Sequence, residues 1–271
     1  MITLDKDHKM LGYASLNAYS NISHFVTTRQ GGYSCGTYGT FNCAPFSGDA
    51  PESVRRNQEL LMNELDPRPL ELVIPMQTHG TVCEVIDDRF LSASPEQRRQ
   101  RLTGVDALMT DRLGQCLCIS TADCVPVLMY DRTHRAIAAV HAGWRGTVAG
   151  IVTQTLQRMH QTYGTLGGDV VACIGPSISQ AAFEVGEEVY EAFRQQGFNM
   201  AQIAVRHPDT GKAHLDLWRA NAMQLEAFGV SADRIEVAGL CTYTLHEQFF
   251  SARRLGIHSG RILSGIALNV D

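Results

Sequence analysis

The stretch Thr121-Ala-Asp-Cys-Val-Pro-Val-Leu-Met-Tyr130, followed by Ile137-Ala-Ala-Val-His-Ala-Gly-Trp-Arg-Gly146, decides how this chain is read. Both runs are apolar on consecutive positions instead of alternating, so each predicts a strand in a sheet covered on both faces. Working outward, similar runs predict strands over 22–27, 72–74, 82–86, 107–110, 116–120, 170–174, 235–237 and 262–268. Helical spacing marks 53–65 after Asp49 and Pro51, then Val148, Ile151, Val152, Leu156 and Met159. It recurs at Val189, Tyr190 and Phe193, and from Leu217 to Phe228. Strands outnumber helices in a mixed order, which predicts an α/β fold with mixed sheets and not a doubly wound parallel one. Residues 88–103, rich in Arg, Gln, Ser and Pro, read as an exposed excursion.

Composition narrows the class. The chain has 271 residues, 44% hydrophobic and 19% charged, with a net charge of −5. That balance suits a globular protein and supplies no basic field for nucleic acid or an anionic membrane surface. No Pro/Gly/Ser-rich linker or repeat divides the chain, so one domain over 1–271 is expected. No apolar run reaches bilayer length, and Met1-Ile-Thr-Leu-Asp-Lys-Asp-His-Lys-Met10 lacks a signal core. The eight cysteines sit mostly inside apolar runs, which predicts reduced thiols in the cytoplasm; Cys35 and Cys43 are the one pair considered for a bridge. A monomer is expected, since no coiled coil or exchange arm is evident.

The chemistry concentrates at strand ends. Cys124 opens the first quoted run, His141 ends the second, and His79 lies upstream in Met76-Gln-Thr-His-Gly80. Two imidazoles and a thiolate are three good zinc ligands, and three protein ligands with an open position characterise a catalytic site. The three lie far apart in sequence, so spacing alone says little, and other readings stand beside this one. Cys124 can be a buried small hydrophobe and the histidines core residues. Alternatively, Cys124 and His141 form a metal-free nucleophile–base pair, as in an amidase. His246, in Cys241-Thr-Tyr-Thr-Leu-His-Glu247, stays open as a further candidate. No phosphate loop or dinucleotide fingerprint is present, while Gly143, Gly146 and Gly150 suit either anion approach or helix packing.

Several blocks resemble the family named for a multicopper polyphenol oxidoreductase (laccase) domain, whose members are described as purine nucleoside phosphorylases with adenosine deaminase activity. The resemblance rests on Thr121-Ala-Asp-Cys-Val-Pro-Val-Leu128, Ala139-Val-His-Ala-Gly-Trp-Arg-Gly-Thr147 and Gln77-Thr-His-Gly80. It extends to Thr28-Arg-Gln-Gly-Gly-Tyr-Ser34, Gly104-Val-Asp-Ala-Leu-Met-Thr110, Gly175-Pro-Ser-Ile178 with Phe183-Glu-Val-Gly186, Leu215-Asp-Leu-Trp218, and Cys241-Thr-Tyr243 with Phe249-Phe-Ser-Ala-Arg-Arg254. It implies a layered α/β/β/α fold and a zinc held by His79, Cys124 and His141. Two departures stand out. Thr40-Phe-Asn-Cys-Ala44 keeps only Asn42 of the usual Ser-Leu-Asn-Leu-Gly. Ser251-Ala-Arg-Arg254 replaces Ser-Tyr-Arg-Arg and removes an aromatic contact to a base.

The expected partners are thus a purine nucleoside (adenosine, inosine, methylthioadenosine) and phosphate. Arginine suits an oxyanion because its planar fork binds two oxygens at once. Arg145, close after His141, is the first catalytic candidate, and Arg29, Asn42 and Arg253 are expected to touch substrate. Deamination needs a proton shuttle, for which Asp123 is the candidate, although adjacent strand residues face opposite ways. Copper fits the same ligands by affinity order. A copper polyphenol oxidase is disfavoured because the chain has no His-x-His pair with which to build a multicopper cluster. A cysteine hydrolase of cell-wall precursors is the remaining alternative.

Overall fold

A computed structural model describes residues 1–270. The chain forms two six-stranded sheets and a small three-stranded one. Across the first sheet the order is Ile2–Thr3, Met10–Gly12, Ile22–Thr27, Ile262–Leu268, Gln115–Thr121, Glu71–Val73. Across the second it is Ile235–Val237, Val170–Ile174, Val125–Asp131, Ala136–Ala142, Ala107–Thr110, Cys83–Val85. Most pairs are antiparallel. Glu71–Val73 with Gln115–Thr121, Cys83–Val85 with Ala107–Thr110, and Val170–Ile174 with Ile235–Val237 are parallel, so both sheets are mixed.

The period of two along a strand sorts side chains between layers. In the two central strands of the second sheet, Val125, Val127, Met129, Ala136, Ala138, Val140 and Ala142 pack with Ile151, Val152, Leu156 and Met159 of the helix Ile151–Tyr163. Their alternates Leu128, Tyr130, Ile137 and Ala139 meet Leu117, Ile119, Ile262, Ile266 and Leu268 of the first sheet. On the far side of the first sheet, Phe25, Cys116, Cys118, Leu263 and Ala267 pack with Leu61 of the helix Pro51–Glu64. Three apolar layers between four structural ones make the α/β/β/α architecture. Each fully buried aliphatic side chain contributes about 1.5–3 kcal/mol, which is why every position of the strands Val125–Asp131 and Ala136–Ala142 is buried.

The strands predicted from apolar runs are present to within a residue or so of their expected ends. Three short strands, Glu184–Val185, Ala204–Arg206 and Ala213–Leu215, form the third sheet and are too brief to leave a pattern. The helix expected from Val148 is split: Trp144–Val148 ends, Gly150 adopts φ +75°, and Ile151–Tyr163 follows. Residues 88–103 are mostly exposed, as expected, but they are not an unstructured excursion. They hold the helices Asp88–Leu91 and Pro95–Arg101, the latter with a Ser94/Gln97 capping box, and they drive Phe90 into the inter-sheet core. The thiols are free, with Cys35 exposed and Cys43 buried, so the pair considered for a bridge does not form one. Among the described residues no helix is long and apolar enough to cross a membrane.

Candidate active site

Two segments carry the chain from the first sheet to the second: residues 74–82, after the strand Glu71–Val73, and residues 122–124, after Gln115–Thr121. His79 lies on one crossing and Cys124 on the other. Both crossings use a left-handed backbone at a non-glycine residue, φ +64° at His79 and +83° at Asp123. Such positions cost of order 1 kcal/mol and persist where surrounding bonds over-determine them. His141 arrives from the end of its strand. It shares the parity of Ile137 and Ala139, so its ring faces the space between the sheets.

Asp106 supplies the over-determination. It begins the strand Ala107–Thr110, whose Ala107 is registered against Val140, and it is fully buried. Its Oδ1 accepts from His141 Nδ1 at 2.7 Å and from the His79 N–H at 2.9 Å. Its Oδ2 accepts from the N–H of Gly80 at 2.7 Å and of Thr78 at 3.2 Å. Burial alone would raise its pKa, but His141 and the backbone donors outweigh burial and hold the carboxylate ionised. An ionised carboxylate only accepts, so Nδ1 of His141 carries a proton toward Asp106 and leaves the other nitrogen as the one that meets Cys124. Gln77 fixes the same crossing through two bonds to the Ser120 backbone, both 2.8 Å.

The result is a converged trio. One donor atom each from His79, Cys124 and His141 lies within 4.8 Å of the others. The imidazole rings of His79 and His141 stand edge to face with centroids 4.9 Å apart. A Cβ at position 143 would sit 3.1 Å from Cys124 Sγ and 3.1 Å from His79 Cδ2, so Gly143 leaves the room in which the ligands meet. Burial pushes the Cys124 thiol up, yet the two histidines bring it down to about 6. Against its own burial, His141 rises to about 9 beside that thiolate and Asp106. These opposite shifts describe one ion pair, with the shared proton on His141. A soft thiolate with two imidazoles fits zinc, and copper fits the same set.

The trio opens on a cavity of about 430 Å³, a size that holds small organic ligands. Its wall includes Ala44, Phe46, Ser47, Gln77, Thr121, Ala252, Ile257 and Arg261. Phe46 and Ile257 are exposed, offering apolar surface at the rim, and Ala252 lies on the wall where an aromatic residue was expected from the resemblance.

The other residues singled out in the sequence lie around this cavity instead of lining it. Arg145 is exposed with its guanidinium 4.2 Å from the Trp144 ring centroid. Arg29 bonds the carbonyls of Gly39 and His246 and lies over Phe250, joining the N-terminal and C-terminal blocks. Arg253 donates to the Glu184 carbonyl. Asp123 accepts from Thr242 Oγ1 at 2.7 Å and from the Arg253 N–H at 2.6 Å, so both oxygens brace the turn. Asn42 is buried, bonding Ser47, Asp49, Ala44 N–H and Arg261 N–H, and thus shapes the wall from behind. His246 pairs with Glu247. Two residues of the site were not picked from the sequence, Asp106 and Arg261. Each is a charged residue directly before an apolar strand, a signal visible in Val105-Asp-Ala-Leu-Met and Gly260-Arg-Ile-Leu.

The family described as multi-copper polyphenol oxidoreductase laccase matches residues 23–269. A purine nucleoside phosphorylase of Bacteroides thetaiotaomicron is 64% identical over 269 residues, 99% of this chain and 100% of its own. Adenosine deaminase RL5, from an unknown prokaryotic organism, is 40% identical over 98% of this chain and 99% of its own. Among solved structures, the hypothetical protein YfiH of Bacillus licheniformis superposes with a TM-score of 0.89 at 29% identity, covering 98% of each chain.

Proposed function

Because the chain belongs to the multi-copper polyphenol oxidoreductase laccase family, we propose that it is a zinc-dependent purine nucleoside phosphorylase with adenosine deaminase activity. Adenosine and inosine are the proposed nucleosides, with methylthioadenosine a third, and residues 1–271 are proposed to work as one zinc-binding domain. The observation that carries this reading is the convergence of His79, Cys124 and His141 on a cavity of nucleoside size. A multicopper oxidase would need several copper centres. The described residues bring together a single Cys/His ligand group, and the other candidate group is Asp131, His134 and Asp169.

His79, Cys124 and His141 would hold the metal, which when bound supplies Lewis-acid charge at neutral pH. The chain's own groups do the rest. Asp106 fixes the His141 tautomer and the His79 backbone together, so two ligands are positioned by one carboxylate. Phe46 and Ile257 offer a purine ring apolar faces at the rim. In phosphorolysis a phosphate oxygen bonds to C1′ of the ribose, the C1′–N9 bond breaks, and the phosphate's proton ends on the base. Ribose 1-phosphate and free purine are the products.

The test is product analysis of zinc-loaded protein given adenosine with and without phosphate. Adenine appearing only with phosphate is expected; no free base under either condition sinks the phosphorylase reading. One observation favours a second reading, because the Cys124–His141–Asp106 relay resembles a nucleophile, base and orienting acid. Alkylation separates the two. Zinc ligation silences the thiolate, so Cys124 should resist iodoacetamide in loaded protein and react once the metal is chelated.

A further inference from the structure

We infer that Arg261 is the oxyanion-holding residue of this cavity and that phosphate binds against its guanidinium. The inference rests on the phosphorylase reading for its ligand, although the anion site itself is argued from geometry.

Position comes first. Arg261 immediately precedes the strand Ile262–Leu268, and Ile262 is registered opposite Thr121, so Arg261 stands beside the turn that carries Cys124. It lines the same cavity as the metal-ligating trio. None of Arg29, Arg145 and Arg253 does.

Charge comes second. Among the described residues the carboxylates form ion pairs with Lys9, Arg55, Arg98, Arg99, Arg101, Arg112 and others, and none pairs with Arg261. Its protein acceptors are uncharged: the carbonyls of Ser259, Gly260 and Ile257, and the Ser259 hydroxyl. A half-buried guanidinium with no carboxylate in direct contact, and with Cys124 and Asp123 acting on it only through space, has room for an anion supplied by a ligand. Burial lowers its pKa from the usual arginine value and outweighs the opposing pull of Cys124, Tyr38 and Asp123, and arginine stays protonated regardless.

Pre-organisation comes third. Nη1 makes three of the four contacts and Nη2 one, at 2.6–3.3 Å. The Nε–H makes no hydrogen bond and Nη2 makes only one, which leaves donors for an anion to take. The wall has another group in want of a partner, since the buried Thr121 hydroxyl makes no hydrogen bond. The carbonyl tethers lock the guanidinium plane before any ligand arrives, so little ordering remains to be done on binding.

The experiment measures inorganic phosphate binding to zinc-loaded protein by calorimetry, alongside the phosphate KM of adenosine phosphorolysis. For Arg261→Gln, phosphate should bind weaker by about 30-fold or more, the loss of a charge-assisted pair, with the adenosine KM changed far less. Because Arg261 also tethers three carbonyls, Arg261→Lys is measured beside it; charge without the fork should weaken phosphate by about tenfold. If wild type phosphorolyses adenosine and either folded variant binds phosphate as wild type does, the assignment to Arg261 is overturned while the phosphorylase reading stands. If wild type releases no base, that reading fails, and calorimetry still decides. Phosphate binding lost in the variants upholds the anion site, and no phosphate binding by wild type overturns it.

Discussion

Asp106 holds more of the site together than any ligand does. Its two oxygens take five donors, three from the backbone of the His79 crossing, the Thr78 hydroxyl, and one from His141. Replacing it with Asn removes the charge and turns one acceptor into a donor facing backbone N–H groups. Asp106→Asn should weaken zinc binding by about 10–100-fold in a chelator competition, the usual range for a ligand's supporting carboxylate. Unchanged affinity would show that the crossing is held by Gln77 alone. The ion pair beside it sets a pH dependence. Between about 6 and 9 the metal-free protein keeps a second proton on His141, on the nitrogen away from Asp106, and that proton must leave when a metal binds. Zinc affinity should therefore rise with pH across that window, by about tenfold per unit. Competition titrations at three pH values inside the window check the slope; a flat profile means that the metal-free pair holds no displaceable proton.

At the scale of elements, the strands were readable because apolar runs this uniform have few other homes. Ile22–Thr27, Ala107–Thr110, Val170–Ile174, Ile235–Val237 and Ile262–Leu268 begin and end where the runs do. What the sequence withheld was pairing. Nothing in Gly260-Arg-Ile-Leu says that its strand will lie beside Gln115–Thr121, so Arg261 could not be placed next to Cys124, and Arg29, Arg145 and Arg253 of the resembling blocks stood out instead. Local polarity misled in residues 88–103, where a surface rich in Arg and Gln conceals one anchor. Phe90 is fully buried beneath the guanidinium groups of Arg98 and Arg101. Phe90→Ala should cost about 3–5 kcal/mol in denaturant unfolding, as for a core aromatic, where a true exposed loop would lose under about 0.5 kcal/mol.

At the scale of the whole molecule, acid stability carries the signature of one core histidine. His24 is buried in the first sheet, where its Nε2 accepts from the Tyr13 N–H at 2.7 Å, and burial lowers its pKa to about 4. Its folded pKa lies below the unfolded value near 6.5, so the unfolded chain binds the extra proton. The stability it contributes is complete above about 6.5 and is lost as pH falls toward 4, amounting to about 3 kcal/mol. His24→Gln keeps an acceptor for Tyr13 without that titration, so its stability should fall less steeply over the same interval. Parallel profiles for the two proteins would remove His24 from the account. The sheet crossings at 74–82 and 122–124 have a consequence for assembly. Two ligands ride on the strips of chain that stitch the sheets together, and the third is held by a carboxylate against one of those strips. Until both sheets have docked, the three donors have no common centre. A filled site is therefore a seal set on finished assembly, and chains caught with the halves still apart have nothing with which to capture the ion.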